Sequence, residues 1–285
     1  MAKRRTLAGE AFAEGVTLHA GVRVHMRLAP APPGDGIVFR RSDVPGSALI
    51  PALWSNVAET RLGTVLKGAD GTSIGVVEHL LSAAAGVGID DCLVEIDGPE
   101  PPILDGDALC FVRLIDKVGL REVQGPRDMI RVLRDVDVTA GDARAQLSPA
   151  AQAEFFFEIE FPSAAIGRQS FHCLLTEAVF RRDIAPARTF GFLHEAASLR
   201  EAGYGRGADL ANTLVIDGNR LLNPELQRFP DEFARHKILD AIGDLKLAGA
   251  VLIARFEGHR SSHTLNNALL RALFAEPGNY ERVMV

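Results

Sequence analysis

The segment Glu232 to Leu245, EFARHKILDAIGDL, has the apolar spacing of a helix that buries one face. Yet it sets His236 and Asp240 four residues apart, with Lys237 and Asp244 close by. Residues i and i+4 share a helical face about one turn apart. A histidine nitrogen and a carboxylate oxygen placed this way can converge on one ion, and both are ordinary zinc ligands. The same spacing also serves a surface His–Asp pair or a satisfied core histidine, so the pair alone leaves both readings open.

Other stretches carry reactive residue types. In VVEHLL, Glu78 and His79 are adjacent, and adjacent side chains leave a helix about 100° apart. One can face an ion while the other faces a water beside it, the position of the general base in many zinc hydrolases. A glutamate in a first helical turn is equally an ordinary response to the helix dipole. The HExxH spacing is absent, since HEAAS at 194–198 lacks the second histidine. In GHRSSHTLNN, His263 follows Ser262 at an expected helix start. There it is either a solvated histidine behind a serine cap or a site residue partnered by a carboxylate such as Asp244. GTSIG at 71–75 satisfies G-x-S-x-G around Ser73, but a nucleophile elbow needs a buried strand before the serine. The polar, Gly-rich LKGADG does not read as one. In ARTFGF (187–192), Thr189 carries no chemistry by itself, and Phe190 and Phe192 read as core.

The elements that must position these residues follow from periodicity. Residues 12–28 alternate as paired strands, and IVFRRSD reads as a further strand. SIGVVEHLLSAAAGVG (73–88) reads as a helix ended by Gly86 and Gly88. DCLVEIDG is a strand, and residues 99–120 are a Pro-rich loop and then a helix. VQGPRD (123–128) is the expected boundary. Beyond it, MIRVLRDVDVTAG, ARAQLSP and AEFFFEIEF read as strands, and 176–203 as helix, loop, helix. ANTLVIDGNRLL reads as a hairpin with Asp217-Gly218 in the turn. The Glu232 helix, one strand VLIARFEGH and a last helix over 261–277 complete the chain. Each half thus reads strands, helix, strand, helix, the pattern of an internal duplication.

Composition narrows the function classes. The 285 residues suit one large domain or two of ordinary size. A net charge of −6 argues against a protein that coats nucleic acid. With aromatics at 6%, base-stacking platforms are also not expected. Cys92, Cys110 and Cys173 are odd in number and lack CxxC spacing, which argues against a disulfide framework or a cysteine zinc site and suits a reducing cytoplasm. The basic start MAKRRTLAGEAFAEG has no apolar core, so no signal peptide is expected. The apolar run LAGAVLIA is too short to span a bilayer.

Taken in order, VVEHLLSAAAGVGIDD, PEPPILDGDA, ARTFGF, FARHKILDAIGDL and HTLNNALL resemble the UDP-3-O-acyl-N-acetylglucosamine deacetylases of lipid A synthesis. The resemblance runs from RTLAGEAFAEGVTLHAG to about residue 275. Five separated motifs in order are far more specific than any one. The resemblance implies an α+β fold of two similar domains, 1–125 and 126–285, each a sheet packed on a pair of helices with the site between them. It implies a zinc ion held by His79, His236 and Asp240, with a fourth position open for water, as in catalytic zinc sites. It implies Glu78 as general base, Thr189 as a hydrogen-bond donor to the oxyanion, His263 as cation or general acid, and Asp244 to hold His263. Lys237 and Phe190 would bind substrate, and FPSAAIGRQSFHCLLTEAVF would be an insert forming a passage for the acyl chain. The implied partner is the UDP-3-O-acyl-N-acetylglucosamine substrate, met by a cytoplasmic monomer with no nucleic acid and no stable membrane insertion.

Some positions depart from the family pattern. Asp107 stands in DGDA where DGSA is common, either as a carboxylate near the site entrance or as a helix cap. Ser262 replaces a common glycine before His263. Gly63 and Thr64 stand where some members carry a cysteine. A serine hydrolase using Ser73 and a non-catalytic nucleotide-sugar or acyl-chain binder remain the alternatives. Ser73→Ala is expected to keep wild-type turnover, with no serine-directed probe attached to the parent protein. An adduct lost in Ser73→Ala would establish the serine route instead.

Overall fold

Strands within residues 11–96 and within residues 136–259 build two five-stranded sheets in a computed structural model that describes residues 3–284. In spatial order the first contains Ala11–Val16, Arg23–Pro30, Cys92–Ile96, Ile37–Arg41 and Ile50–Pro51. The second contains Val136–Ala140, Ala143–Ser148, Arg255–His259, Glu154–Glu160 and Arg168–Leu174. Both follow the chain order first, second, fifth, third, fourth. The one parallel pairing in each joins the third and fifth strands, with Val38 opposite Leu93 and Phe157 opposite Gly258. A parallel pairing requires a long crossover. The helix Glu78–Val87 lies in the first crossover and Glu232–Lys246 in the second. A second helix follows each fifth strand, Leu109–Val118 and His263–Ala275.

Each half also inserts a three-stranded sheet at the same point, between its fourth strand and its crossover helix. These are Val57–Glu59, Val65–Lys67 and Ser73–Ile74 in the first, and Phe190–Phe192, Leu214–Asp217 and Arg220–Leu221 in the second. The fold is α+β, and the internal duplication read from the elements is present as a repeated topology.

The two crossover helices pack on each other at the centre. Nine of the ten residues of Glu78–Val87 are buried, as expected of a helix apolar nearly all round. Twelve of the fifteen residues of Glu232–Lys246 are buried, and every fourth one is polar: Glu232, His236, Asp240 and Asp244. Spacing of four keeps these on one slowly winding stripe. Gly243 lies against the other helix. A Cβ there would stand 2.0 Å from the Glu78 backbone oxygen and 2.9 Å from its Cα, so no side chain fits without separating the helices.

The structure revises several boundaries. The first helix begins at Glu78, not Ser73. Val76 has φ +52°, a left-handed conformation rare for a β-branched residue, which turns the chain out of the Ser73–Ile74 strand just before the helix. Gly86 lies inside that helix, and Gly88 alone ends it, at φ +78°. VLIARFEGH is two strands in two sheets, Val251–Ile253 beside Asp128–Val132 and Arg255–His259 in the five-stranded sheet. The hairpin turn is Gly218-Asn219, because Asp217 pairs with Arg220. The expected boundary VQGPRD is mostly strand, Leu120–Pro126, paired with Lys3–Leu7. Tyr280–Met284 is a further strand beside Asp128–Val132 that periodicity had not indicated.

The acyl-chain insert also needs correction. Arg168–Leu174, assigned to it, is the fourth strand of the repeat and pairs in register along Glu154–Glu160. Its alternating RQSFHCL is an edge strand, and the added element is the sheet spanning Phe190 to Leu221. Gly243→Ala is expected to destabilise the protein by about 1–3 kcal/mol, the usual effect of overpacking. The shift in denaturant midpoint measures it, and an unchanged midpoint would remove the close-contact argument.

Candidate metal centre and its surroundings

His79 comes from the first crossover helix, His236 and Asp240 from the second, and their ligand atoms lie within 4.8 Å of one another. Asp240 Oδ1 is 3.6 Å from His79 Nε2 and 3.4 Å from His236 Nε2. Two atoms about 2.0–2.1 Å from one tetrahedral ion stand about 3.4 Å apart, so the spacing matches a shared ion. All three residues are buried. His236 Nδ1 is 3.1 Å from the Ala187 carbonyl oxygen, which can only accept; Nδ1 therefore donates and Nε2 keeps its lone pair toward the cluster. Asp240 Oδ1 is buried without a hydrogen-bond partner, while Oδ2 accepts from Lys237 Nζ at 2.7 Å. A buried carboxylate oxygen with no donor is costly. A cation between it and the two imidazoles would satisfy it, so these residues fit a divalent metal.

Electrostatics agree with that donor set. Burial lowers the His236 pKa to about 4, leaving the neutral imidazole that metal binding requires. Burial opposes charge on Asp240, yet the nearby Lys237 and His236 outweigh it and hold its pKa well below the usual carboxylate range. Burial likewise opposes charge on Lys237, but Asp240, Asp244 and Glu78 hold its pKa above the usual lysine value.

Glu78 and His263 flank the cluster. Burial raises the Glu78 pKa, only partly offset by His263 and His79. Its Oε2 accepts from the Thr64 backbone N–H at 3.0 Å, and its Oε1 lies 3.8 Å from His263 Nε2. Burial alone would lower the His263 pKa, but Asp244, Glu78 and Asp240 together raise it to about 9. Asp244 Oδ2 accepts from His263 Nδ1 at 2.8 Å and from Asn266 Nδ2 at 2.9 Å. Asp244 Oδ1 accepts from the Thr64 hydroxyl at 2.6 Å. Thr64 and Asn266 were not read as site residues in the sequence, where each is an ordinary polar residue with no spacing signal. Gly63 closes the group, since a Cβ there would stand 2.9 Å from Glu78 Oε1.

Phe190 lies beside His236, and Thr189 is the residue before it. The Thr189 N–H donates to the Gly106 carbonyl at 2.8 Å, and Ala187, two residues earlier, supplies the carbonyl that orients His236. The Phe190 ring lies 6.3 Å from that of His236 and 5.0 Å from that of Phe233, so it borders the site while also packing on the core.

Two of the three departures from the family pattern, Asp107 and Ser262, resolve as structure. Asp107 is fully buried; its Oδ1 accepts from the Cys110 N–H at 3.0 Å, near the start of a helix, and its Oδ2 pairs with Arg228. It is a cap, not a carboxylate at a site entrance. Arg228 also reaches Asp105 at 3.6 Å, so the two carboxylates of the Asp105, Asp107 and Cys110 group already share a cation. Ser262 caps the last helix through the Leu265 N–H, and His263 still turns inward to Asp244. Ser73 sits on a short strand beside Val65–Lys67, a strand that the Gly-rich LKGADG had hidden. The helix begins five residues after Ser73, so the sharp strand-to-helix turn of an elbow is missing.

A duplicated α+β fold with a buried His–His–Asp group contributed by both halves defines the class. Comparison places it further: a sequence model of the LpxC family, UDP-3-O-acyl N-acetylglycosamine deacetylase, matches residues 4–275, and the chain belongs to that family. It is 49% identical over 278 residues to a UDP-3-O-acyl-N-acetylglucosamine deacetylase of Phenylobacterium zucineum (strain HLK1), covering 96% of this chain and 94% of that protein. It is 45% identical over 280 residues to a protein of the same name from Myxococcus xanthus (strain DK1622), covering 98% and 89%.

Removing one ligand should be felt as lost metal affinity. Asp240→Ala and His79→Ala are each expected to weaken binding of zinc by more than about 100-fold, since even outer-shell changes cost 10–100-fold. Competition against a chromogenic chelator reads this, and wild-type affinity in both variants would refute the assigned ligand set.

Proposed function

We propose that this protein hydrolyses the acetamide of UDP-3-O-acyl-N-acetylglucosamine, giving acetate and the free 2-amino sugar on the route to lipid A. The observation that carries this is the convergence of His79, His236 and Asp240 beside Glu78 and the Asp244-held His263, in a chain of the deacetylase family. His79, His236 and Asp240 would hold zinc, which when bound supplies a Lewis acid able to polarise the amide carbonyl and acidify water.

The chain's own groups account for the proton movements. Glu78 takes a proton from the attacking water, and its raised pKa makes it a stronger base than an exposed glutamate. Water adds to the carbonyl carbon, and the Thr189 hydroxyl donates to the oxygen that gains charge. His263, kept protonated by Asp244, gives its proton to the leaving nitrogen as the C–N bond breaks. Lys237 and Phe190 border the same space and would hold the sugar. The Phe190–Leu221 sheet, rather than the Arg168–Leu174 strand, would line the acyl chain.

We also infer two domains, 1–125 and 126–285. Strand Leu120–Pro126 pairs with Lys3–Leu7, whereas Asp128–Val132 pairs with Val251–Ile253 and Tyr280–Met284, so pairing partners change within two residues. No described helix is long and apolar enough to cross a membrane. A cytoplasmic monomer that meets its lipidic substrate transiently is the reading adopted.

The decisive experiment is acetate release before metal removal, after it, and on return of titrated zinc. Activity should vanish and recover near one zinc per chain. Glu78→Gln should keep zinc and lose about 10²–10⁴-fold in rate; near-full turnover with zinc bound would sink the proposed base. Protonated His263 is present below its pKa and lost as pH rises, so the rate should fall on the alkaline side. That limb should disappear in His263→Gln.

A further inference from the structure

Thr64 lies between Gly63 and the strand Val65–Lys67, and it is 1% exposed. Its two donors point to different carboxylates. The backbone N–H donates to Glu78 Oε2 at 3.0 Å, and the hydroxyl donates to Asp244 Oδ1 at 2.6 Å. An ionised carboxylate only accepts, so the single hydroxyl proton is directed to Asp244. Glu78 belongs to the crossover helix of the first half and Asp244 to that of the second.

We propose that Thr64 is a positioning residue: it locks the general base and the carboxylate behind the general acid to one point, and so sets where Glu78 and His263 stand relative to each other. The inference rests on the hydrolytic reading above. Asp244 receives His263 Nδ1 and Asn266 Nδ2 on the same oxygen, Oδ2. Its other oxygen receives the Thr64 hydroxyl. Without that hydroxyl, Oδ1 is left buried and lacking this donor, which is unfavourable. The carboxylate then turns about its Cβ–Cγ bond toward another donor, and the His263 ring moves with it. His263 Nε2 now stands 3.8 Å from Glu78 Oε1. Small displacements of such a pair lower the rate steeply, because catalysis depends on near-attack geometry. The Thr64 N–H to Glu78 belongs to the backbone and survives any side-chain change, so the two contacts can be separated by mutation.

The test uses the full-length, zinc-loaded enzyme. Thr64→Val keeps the shape and the backbone N–H while removing the hydroxyl. It should lower kcat by about 10- to 100-fold and leave KM and zinc content near wild type. Thr64→Ser, which restores the donor, should recover most of kcat. Wild-type kcat in Thr64→Val overturns the proposal, as does a Thr64→Ser as slow as Thr64→Val, since packing of the methyl group would then be the cause. Loss of zinc in Thr64→Val also overturns it, by placing the defect at the metal. A second readout needs no turnover: the downfield proton resonance of His263 Nδ1–H, bonded to Asp244, should shift or broaden in Thr64→Val and return in Thr64→Ser. An unchanged resonance refutes the positioning role. Absence of acetate release from the wild-type enzyme would refute the hydrolytic reading separately.

Discussion

The Glu78 carbonyl occupies the space that a methyl group on residue 243 would need, and this contact between two backbones sets the distance across which the candidate metal group is assembled. His79 is on one helix, His236 and Asp240 on the other. Their ligand atoms fall within 4.8 Å only because a glycine lets the helices meet so closely. A metal's ligand shell tolerates errors of a few tenths of an ångström. A helix pair held apart by ordinary side chains would therefore present the same residues without a common centre.

Close packing has an electrostatic consequence. Glu78, His79, His236, Asp240, Asp244 and His263 are gathered where water is scarce. An uncompensated buried charge costs several kcal/mol. The group survives because nearly every charge has a partner: Lys237 on Asp240, His263 on Asp244, Thr64 on Glu78. The remainder is Asp240 Oδ1, without a donor, facing two imidazole nitrogens. A second set of buried charges ties the halves together behind the site. Arg4 binds Asp91 through two hydrogen bonds and also donates to Asp128 at 3.1 Å, Arg127 binds Asp90, and Lys246 donates to the Ile89 carbonyl. Burial lowers the Lys246 pKa to about 8.

Repetition explains why both halves bring something to the centre. The same strand order, crossover helix and small inserted sheet occur twice, and the two crossover helices meet at Gly243 and Glu78. The inserted sheets have diverged in use. The first ends in the strand leading to Glu78 and carries Thr64 at its edge. The second carries Phe190 beside His236 and pairs it with the central strand Leu214–Asp217.

The sequence by itself determined the central helices, most of the sheet strands and the residue types of the site. Period-two and period-3.6 burial patterns are local, and the spacing of His236 and Asp240 is one helical turn. Together with the order of five motifs, it also pointed to the family. It did not show Arg168–Leu174 as a sheet edge, because an edge strand with polar outward positions resembles a loop in one dimension. Nor did it separate Val251–Ile253 from Arg255–His259, since a continuous apolar run hides a change of sheet. Asp107 could be read as a cap or as a site carboxylate until Arg228, far along the chain, was seen to neutralise it. Gly63 and Thr64 stood out only as replacing a cysteine found in some members, because their contacts with Glu78 and Asp244 are made only by folding. The family resemblance implied that residues from both halves share one centre, but tertiary structure alone decided how closely they approach, because convergence in space depends on helix separation, and no local pattern encodes that distance.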